Sequence, residues 1–220
     1  MAKQQHSNSV PALHRTVTLY SRGAQDIFTR YYPTTAYNLI FIGIVARLRG
    51  EHEIASTVEE EFAGWLKDAG EKLKGEKERL ITALEDAGID TAAVSYSAPR
   101  EFEVRITSPQ AGQFFGLIQE LDEVLQIIDA LWLHGEVGND ARVQLMQHWR
   151  RSIRKVAERF RHTANASRKR MNSEESRTAT QEAEAQSGFA ESEADTSDDE
   201  AEESETDDSD QESAPAAAQA

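Results

Sequence analysis

The chain changes character at Ser173, and no other feature limits its fold so strongly. From Ser173 to Ala220 there are seventeen acidic residues and one basic residue, Arg177, set among Ser, Thr, Ala and Gln with a single aromatic, Phe189. Such a segment cannot bury enough apolar surface to offset the entropy of ordering it, so residues 171–220 are expected to form a disordered acidic tail. A core has to come from the residues before it. The whole chain holds 24 basic and 39 acidic residues, a net charge of −15. Removing the tail's share leaves 23 basic and 22 acidic residues in positions 1–172, or +1. The folded part is nearly neutral, and segments of such different charge usually have different jobs.

The length of 220 residues allows one or two ordinary domains. Cysteine is absent, which excludes disulfide staples and thiolate metal sites and fits a reducing compartment. The opening "MAKQQHSNSVPALH" has no apolar run, so no secretory signal is expected there and residues 1–12 should be a disordered arm. The most apolar stretch, Ala36 to Ala46, is about half the roughly 20 residues a membrane-spanning helix needs. These features predict a cytoplasmic protein without a membrane contact.

Residues 13–170 predict a mainly helical domain with two short strands. The first strand is expected over about 14–21, where Leu13, Val17 and Leu19 alternate with His14, Thr16, Thr18 and Tyr20. Ser21 can cap a short helix over 23–32 that Pro33 ends, and Thr34 or Thr35 can cap a second helix over 35–49, apolar on nearly every side. A helix of that kind belongs at the centre of a fold or of a dimer. A long helix over 52–88 follows, with Phe62, Leu66, Ala69, Leu73, Leu80 and Ala87 in an approximate heptad and a possible break at Gly75. A second strand, 101–108, alternates Phe102, Val104 and Ile106 with Glu103, Arg105 and Thr107. The clearest helix, 110–134, precedes Gly135, and the last, 139–166, has Asn139 and Asp140 at its start.

No catalytic constellation is present. The six histidines have no ligand spacing, no phosphate-cradling glycine motif follows a strand, and the carboxylates lie on solvated faces or in the tail. The expectation is a protein that is not an enzyme and needs no metal and no cofactor.

The basic pattern is more informative. Between Arg142 and Arg170 there are ten basic residues and one acid, Glu158. Arg150, Arg151, Arg154, Lys155, Arg159 and Arg161 fall on adjacent outer faces of the last helix, a surface suited to phosphates. The opposing reading is a solvated helix face that meets only water or the acidic tail, which could bind the basic helix in cis.

The opening adds an independent hint. Strand, short helix, Pro-Thr-Thr and long apolar helix is the order of a ribbon-helix-helix unit, in which two protomers pair strands into a ribbon for the DNA major groove. The outward set would be His14, Thr16, Thr18 and Tyr20, flanked by Arg15 and Arg22. Thr34 and Thr35 would hold a phosphate at the start of the second helix. In the alternative, the first strand pairs within its own chain with Phe102–Thr107.

Four stretches carry a family resemblance. "VTLYSRGAQDIF", "NLIFIGIVARLR", and "RITSPQAGQFFGLIQELDEVLQIIDALWLHG" with "WRRSIRKVAERFR" resemble the AcaB-like proteins of integrating conjugative elements and conjugative plasmids. The resemblance covers about residues 13–165. Ser21, Arg22, Ala24 and Gln25 stand at positions matching the family's Thr-Arg-x-Ala-Gln run, whereas Thr29-Arg30-Tyr31 departs from its Gly-Arg. It implies a ribbon-helix-helix-like fold and a regulator of transfer genes that binds double-stranded DNA as a homodimer. The competing expectation is a non-enzymatic scaffold of the transfer apparatus, suggested by the apolar helix and the heptad-like region.

Overall fold

The computed structural model describes residues 11–48, 50–89 and 94–171. The elements run β1 (Leu13–Leu19), α1 (Arg22–Ile40), a π-helical turn (Phe41–Ala46), α2 (His52–Ala87), β2 (Arg100–Ile106), α3 (Pro109–Leu133) and α4 (Asn139–Met171). The fold is mainly helical with one two-stranded sheet, as expected. Most of the expected arm, Arg49 and the acidic tail from residue 172 lie outside the described residues.

The punctuation follows local chemistry. Ser21 and Ser108 cap α1 and α3, their hydroxyls accepting the backbone N–H of Ala24 (3.3 Å) and of Ala111 (3.1 Å). Pro109 follows at the first turn of α3, where its missing N–H costs nothing. Gly88 and Gly135 take positive φ (67° and 83°) just beyond α2 and α3, a backbone that only glycine adopts freely.

α3 is the hub and packs against α1, α2 and α4. It is apolar around most of its circumference, so Phe114, Ile118, Leu121, Val124, Leu125 and Ile128 are all fully buried. Phe62 of α2 stacks on Phe160 of α4 with ring centroids 4.1 Å apart, and Phe28 and Tyr32 of α1 stack at 5.0 Å beside Phe115. Each such side chain contributes roughly 1.5–3 kcal/mol through burial. The apolar stretch at the end of α1 and in the π turn is buried as well, through Leu39, Ile40, Phe41, Ile42, Val45 and Ala46.

Three boundary expectations are corrected. Pro33 does not end a helix, because it lies inside α1. It sits on the exposed face, and the carbonyl it deprives of a partner, that of Thr29, is on the same exposed face where water can satisfy it. α2 is unbroken at Gly75. Its buried line ends on Leu84, and Ala87 is exposed, because a 3.6-residue helix drifts off a strict heptad.

The strand pairing decides between the two readings of the opening segment. β1 pairs antiparallel with β2 of its own chain, with Leu13 opposite Ile106, Thr16 opposite Glu103 and Leu19 opposite Arg100. Leu19, Val104 and Ile106 turn inward to the core. The Tyr32 hydroxyl donates to the Arg105 carbonyl at 3.2 Å and ties the sheet to α1. The ribbon is therefore closed within one protomer.

Candidate nucleic-acid interface

The last helix separates its chemistry by face. Trp149, Ile153, Val156, Ala157, Phe160 and Ala164 recur every three or four residues and are buried. The cations between them are pushed to the flanks. On the flank facing α1, Arg150, Arg151 and Arg154 meet Asp26, Arg30 and Tyr31 around a hollow of about 240 Å³. A second hollow of about 200 Å³ adjoins it, lined by Arg30, Tyr31, Thr34, Thr35, Arg161 and Arg168 among others. Arg30 and Tyr31 belong to both, so the two form one groove between α1 and α4. From Arg150 to Arg168 it follows α4 for about 27 Å, at 1.5 Å per residue.

The groove is cationic. Six guanidinium groups face two nearby carboxylates: Asp26, 3.4 Å from Arg150, and Glu158, 3.4 Å from Arg154. Among the described residues, Arg30, Arg151 and Arg161 form no ion pair. Arg168 lies over the rings of Phe41 (4.2 Å) and Tyr37 (5.0 Å), and its Nη2 is buried without a hydrogen-bond partner. Burial and the Glu158 carboxylate push the Tyr31 phenol above its usual range, against the pull of Arg154, Arg30 and Arg161. The phenol is therefore a neutral hydroxyl donor at ordinary pH. Forked guanidinium donors with flanking hydroxyls match the geometry of phosphate oxygens.

The structure divides the residues predicted to touch DNA. Arg150, Arg151, Arg154 and Arg161 share the groove. Lys155 is exposed and lies outside its lining, and Arg159 turns the other way, 4.6 Å over the Trp65 ring of α2. Thr34 and Thr35 do reach the groove, Thr34 half-buried and Thr35 buried. They are mid-helix residues, so no helix N-terminus with free N–H groups is available there; that expectation fails because α1 runs through Pro33.

The ribbon residues stand apart from the groove. His14 and Thr16 are exposed on the outer face of the sheet and Thr18 is half-buried, but their cross-strand neighbours are Arg105, Glu103 and Glu101. Arg15 lies on the opposite face of the strand, across from Val104, and lines a shallow hollow with Leu13 and Pro109. Tyr20 has left the strand, and its ring lies 6.2 Å from that of Tyr96. Arg22 projects to solvent with 93% of its side chain exposed, 4.0 Å from Asp26, which places it at one end of the groove.

Sequence reasoning missed Arg30, because its partners on α4 are more than a hundred residues away. It also missed the work done by the segment Ser21–Gln25. The buried Asp122 carboxylate accepts the backbone N–H groups of Tyr20 (3.0 Å) and Ser21 (2.7 Å) and the side-chain amide of Gln126 (3.0 Å). Gln25 donates its side-chain amide to the carbonyls of Leu19 (3.0 Å) and Ala98 (3.1 Å). The polar pattern of this segment fastens the turn from β1 into α1, and of its residues only Arg22 faces outward.

These elements define a class: a four-helix protein with a two-stranded cap and a cationic groove between its first and last helices. Among the described residues there is no cluster able to hold a metal ion, and no helix is long and apolar enough to cross a membrane. A solved structure similar to this chain is that of AcaB from uropathogenic E. coli. Its TM-score with this chain is 0.73 at 27% sequence identity, over 83% of this chain and 93% of AcaB. The likeness bears out the resemblance carried by residues 13–165 and is consistent with an AcaB-like family. No family model matches the chain. No curated protein matches it.

Proposed function

We propose that this protein is a DNA-binding regulator of conjugative transfer genes, and that it grips the duplex through the arginines of the α1/α4 groove. The observation that carries the reading is the convergence of Arg30, Arg150, Arg151, Arg154, Arg161 and Arg168 on one groove against Asp26 and Glu158. The likeness to AcaB adds the context of a conjugative element, as the family resemblance implies. Major-groove reading by a ribbon of two β1 strands is not part of the proposal. β1 already has its mate, and Glu101 and Glu103 on the outer face would meet phosphates with like charge.

A net of about four positive charges predicts release of a similar number of counter-ions, hence a slope near −4 in log K against log salt. Titrating the full chain with duplex DNA over a range of salt concentrations measures it. The charge reversals Arg150→Glu and Arg161→Glu should flatten the slope, and an affinity indifferent to salt would remove the proposal.

A homodimer remains part of this reading. The sheet has two strands, so β1 keeps one edge without a neighbour among the described residues. His14, Thr16 and Thr18 stand on the outer face beside that edge and Arg15 is the one permanent charge of β1, whereas β2 carries Arg100, Glu101, Glu103 and Arg105, charges of the sort that deter edge pairing. Sedimentation of the full chain would give twice the mass of 24.6 kDa if two copies associate.

A further inference from the structure

The arginine groove has an excess of donors, and the chain's own excess of acceptors is attached to one of its walls. α4 ends at Met171, three residues beyond Arg168. The sequence then supplies seventeen acidic residues, ten of them within the fifteen positions from Asp198 to Glu212. We propose that this acidic segment, Asp198–Glu212, occupies the α1/α4 groove of its own molecule and has to leave before DNA can enter. The docking itself stands on the groove; only the competition with DNA rests on the function proposed above.

Reach and charge both favour this occupant. The segment must turn back along about 27 Å of α4 to meet every arginine from Arg168 to Arg150. Asp198 lies 27 residues beyond Met171. An unfolded chain of that length has an r.m.s. span of roughly 26–31 Å. A tether whose span matches the distance between its sites gives close to the highest effective concentration, of order millimolar for short flexible linkers.

Other surfaces fit poorly. α2 carries ten acidic residues against five basic ones. The outer face of the sheet carries Glu101 and Glu103. At physiological ionic strength the Debye length is about 8 Å, so only a surface that brings guanidiniums into contact with the carboxylates holds them. The groove offers Arg30, Arg151 and Arg161 without ion pairs.

The absence of cysteine supplies the experiment, since Ser204→Cys gives the full chain one labelling position in the middle of the acidic run. With a nitroxide there, backbone amide signals of Arg30, Tyr31, Arg154 and Arg161 should broaden at low salt. They should recover near 1 M salt, where the Debye length falls to about 3 Å. The full-length Arg150→Glu, Arg161→Glu variant should lose the broadening while keeping the dispersed spectrum of a folded chain. Broadening that is absent, evenly spread, or centred on the sheet overturns the docking, whatever DNA does. A second arm replaces the ten acids by Asn and Gln and measures binding to a non-specific duplex, which should tighten on the order of tenfold at low salt. Broadening in the groove without any DNA binding by either chain would leave the docking standing and remove the DNA reading. Groove broadening with equal DNA affinity in both chains would overturn the competition.

Discussion

Asp122 shows how the start of α1, one wall of the groove, depends on a residue that does not line it. Its buried carboxylate holds the N–H groups of Tyr20 and Ser21, and Gln25 holds the carbonyls on the other side of the same turn. Asp122→Ala would strand two backbone donors, one of them fully buried, and should cost about 2–4 kcal/mol, read as a lower denaturant midpoint. Gly23 sits where α1 comes closest to its neighbours: a Cβ there would lie 2.8 Å from Leu125 Cδ1 and 2.9 Å from Arg150 Cδ. Gly23→Ala should therefore cost about 1–3 kcal/mol and, by displacing Arg150, weaken DNA binding beyond its effect on folding. Arg22→Ala, at a position that is almost fully solvated, should leave the unfolding free energy from denaturant titration within about 0.5 kcal/mol of the parent. Sequence pattern marked Ser21 as a cap because a capping hydroxyl acts within three residues. Gln25 and Asp122 were not legible in that way, since their partners are set by the packing of α3 against the start of α1.

At the scale of elements, α4 was legible as a helix with one buried stripe, but its basic flank was not legible as two surfaces. Six cations spaced along an outer face look equivalent in a sequence. In the fold, α1 draws four of them into the groove, α2 takes Arg159 onto Trp65, and Lys155 is left exposed outside the groove. The contrast is testable. Arg161→Gln should weaken binding on all duplex sequences and make the salt slope shallower by about one. Arg159→Gln should leave the slope in place and cost about 0.5–1 kcal/mol of stability through the lost ring contact. α1 was misread as two helices because Pro33 is a strong breaker in isolation. Tertiary packing kept Tyr32, Thr35, Asn38 and Leu39 buried on either side of it and carried the helix through.

For the whole molecule, two phenols fasten β2 and the segment ahead of it to the helical core: Tyr32 of α1 donates to the Arg105 carbonyl and Tyr96 to Asp129 of α3. Burial raises Tyr32 from 10.0 to about 12. Burial, the hydrogen bond to Asp129 at 2.8 Å and that carboxylate's charge raise Tyr96 as well. A phenol raised on folding contributes its full stabilisation below the unfolded value and loses it as pH climbs through the folded one. Stability should therefore fall between about pH 10 and 12. Thermal unfolding across that window would show the decline, and Tyr32→Phe should flatten part of it at the expense of the bond to the Arg105 carbonyl.

Taken alone, the sequence determined what depends on near neighbours and on period. It placed the helix-rich class, the two alternating strands, the Ser21 cap, the stop at Gly135 and the division between a nearly neutral folding region and an acidic tail. Only the tertiary structure decided which strand β1 pairs with and which arginines stand together. Both are long-range choices, β1 with a strand more than eighty residues away and Arg30 with a helix more than a hundred residues away. Local pattern gives a strand the same appearance whether its mate is in the same chain or another. The selection comes from which pairing buries Leu19, Val104 and Ile106 against the helices, and that energy exists only once the whole core is assembled.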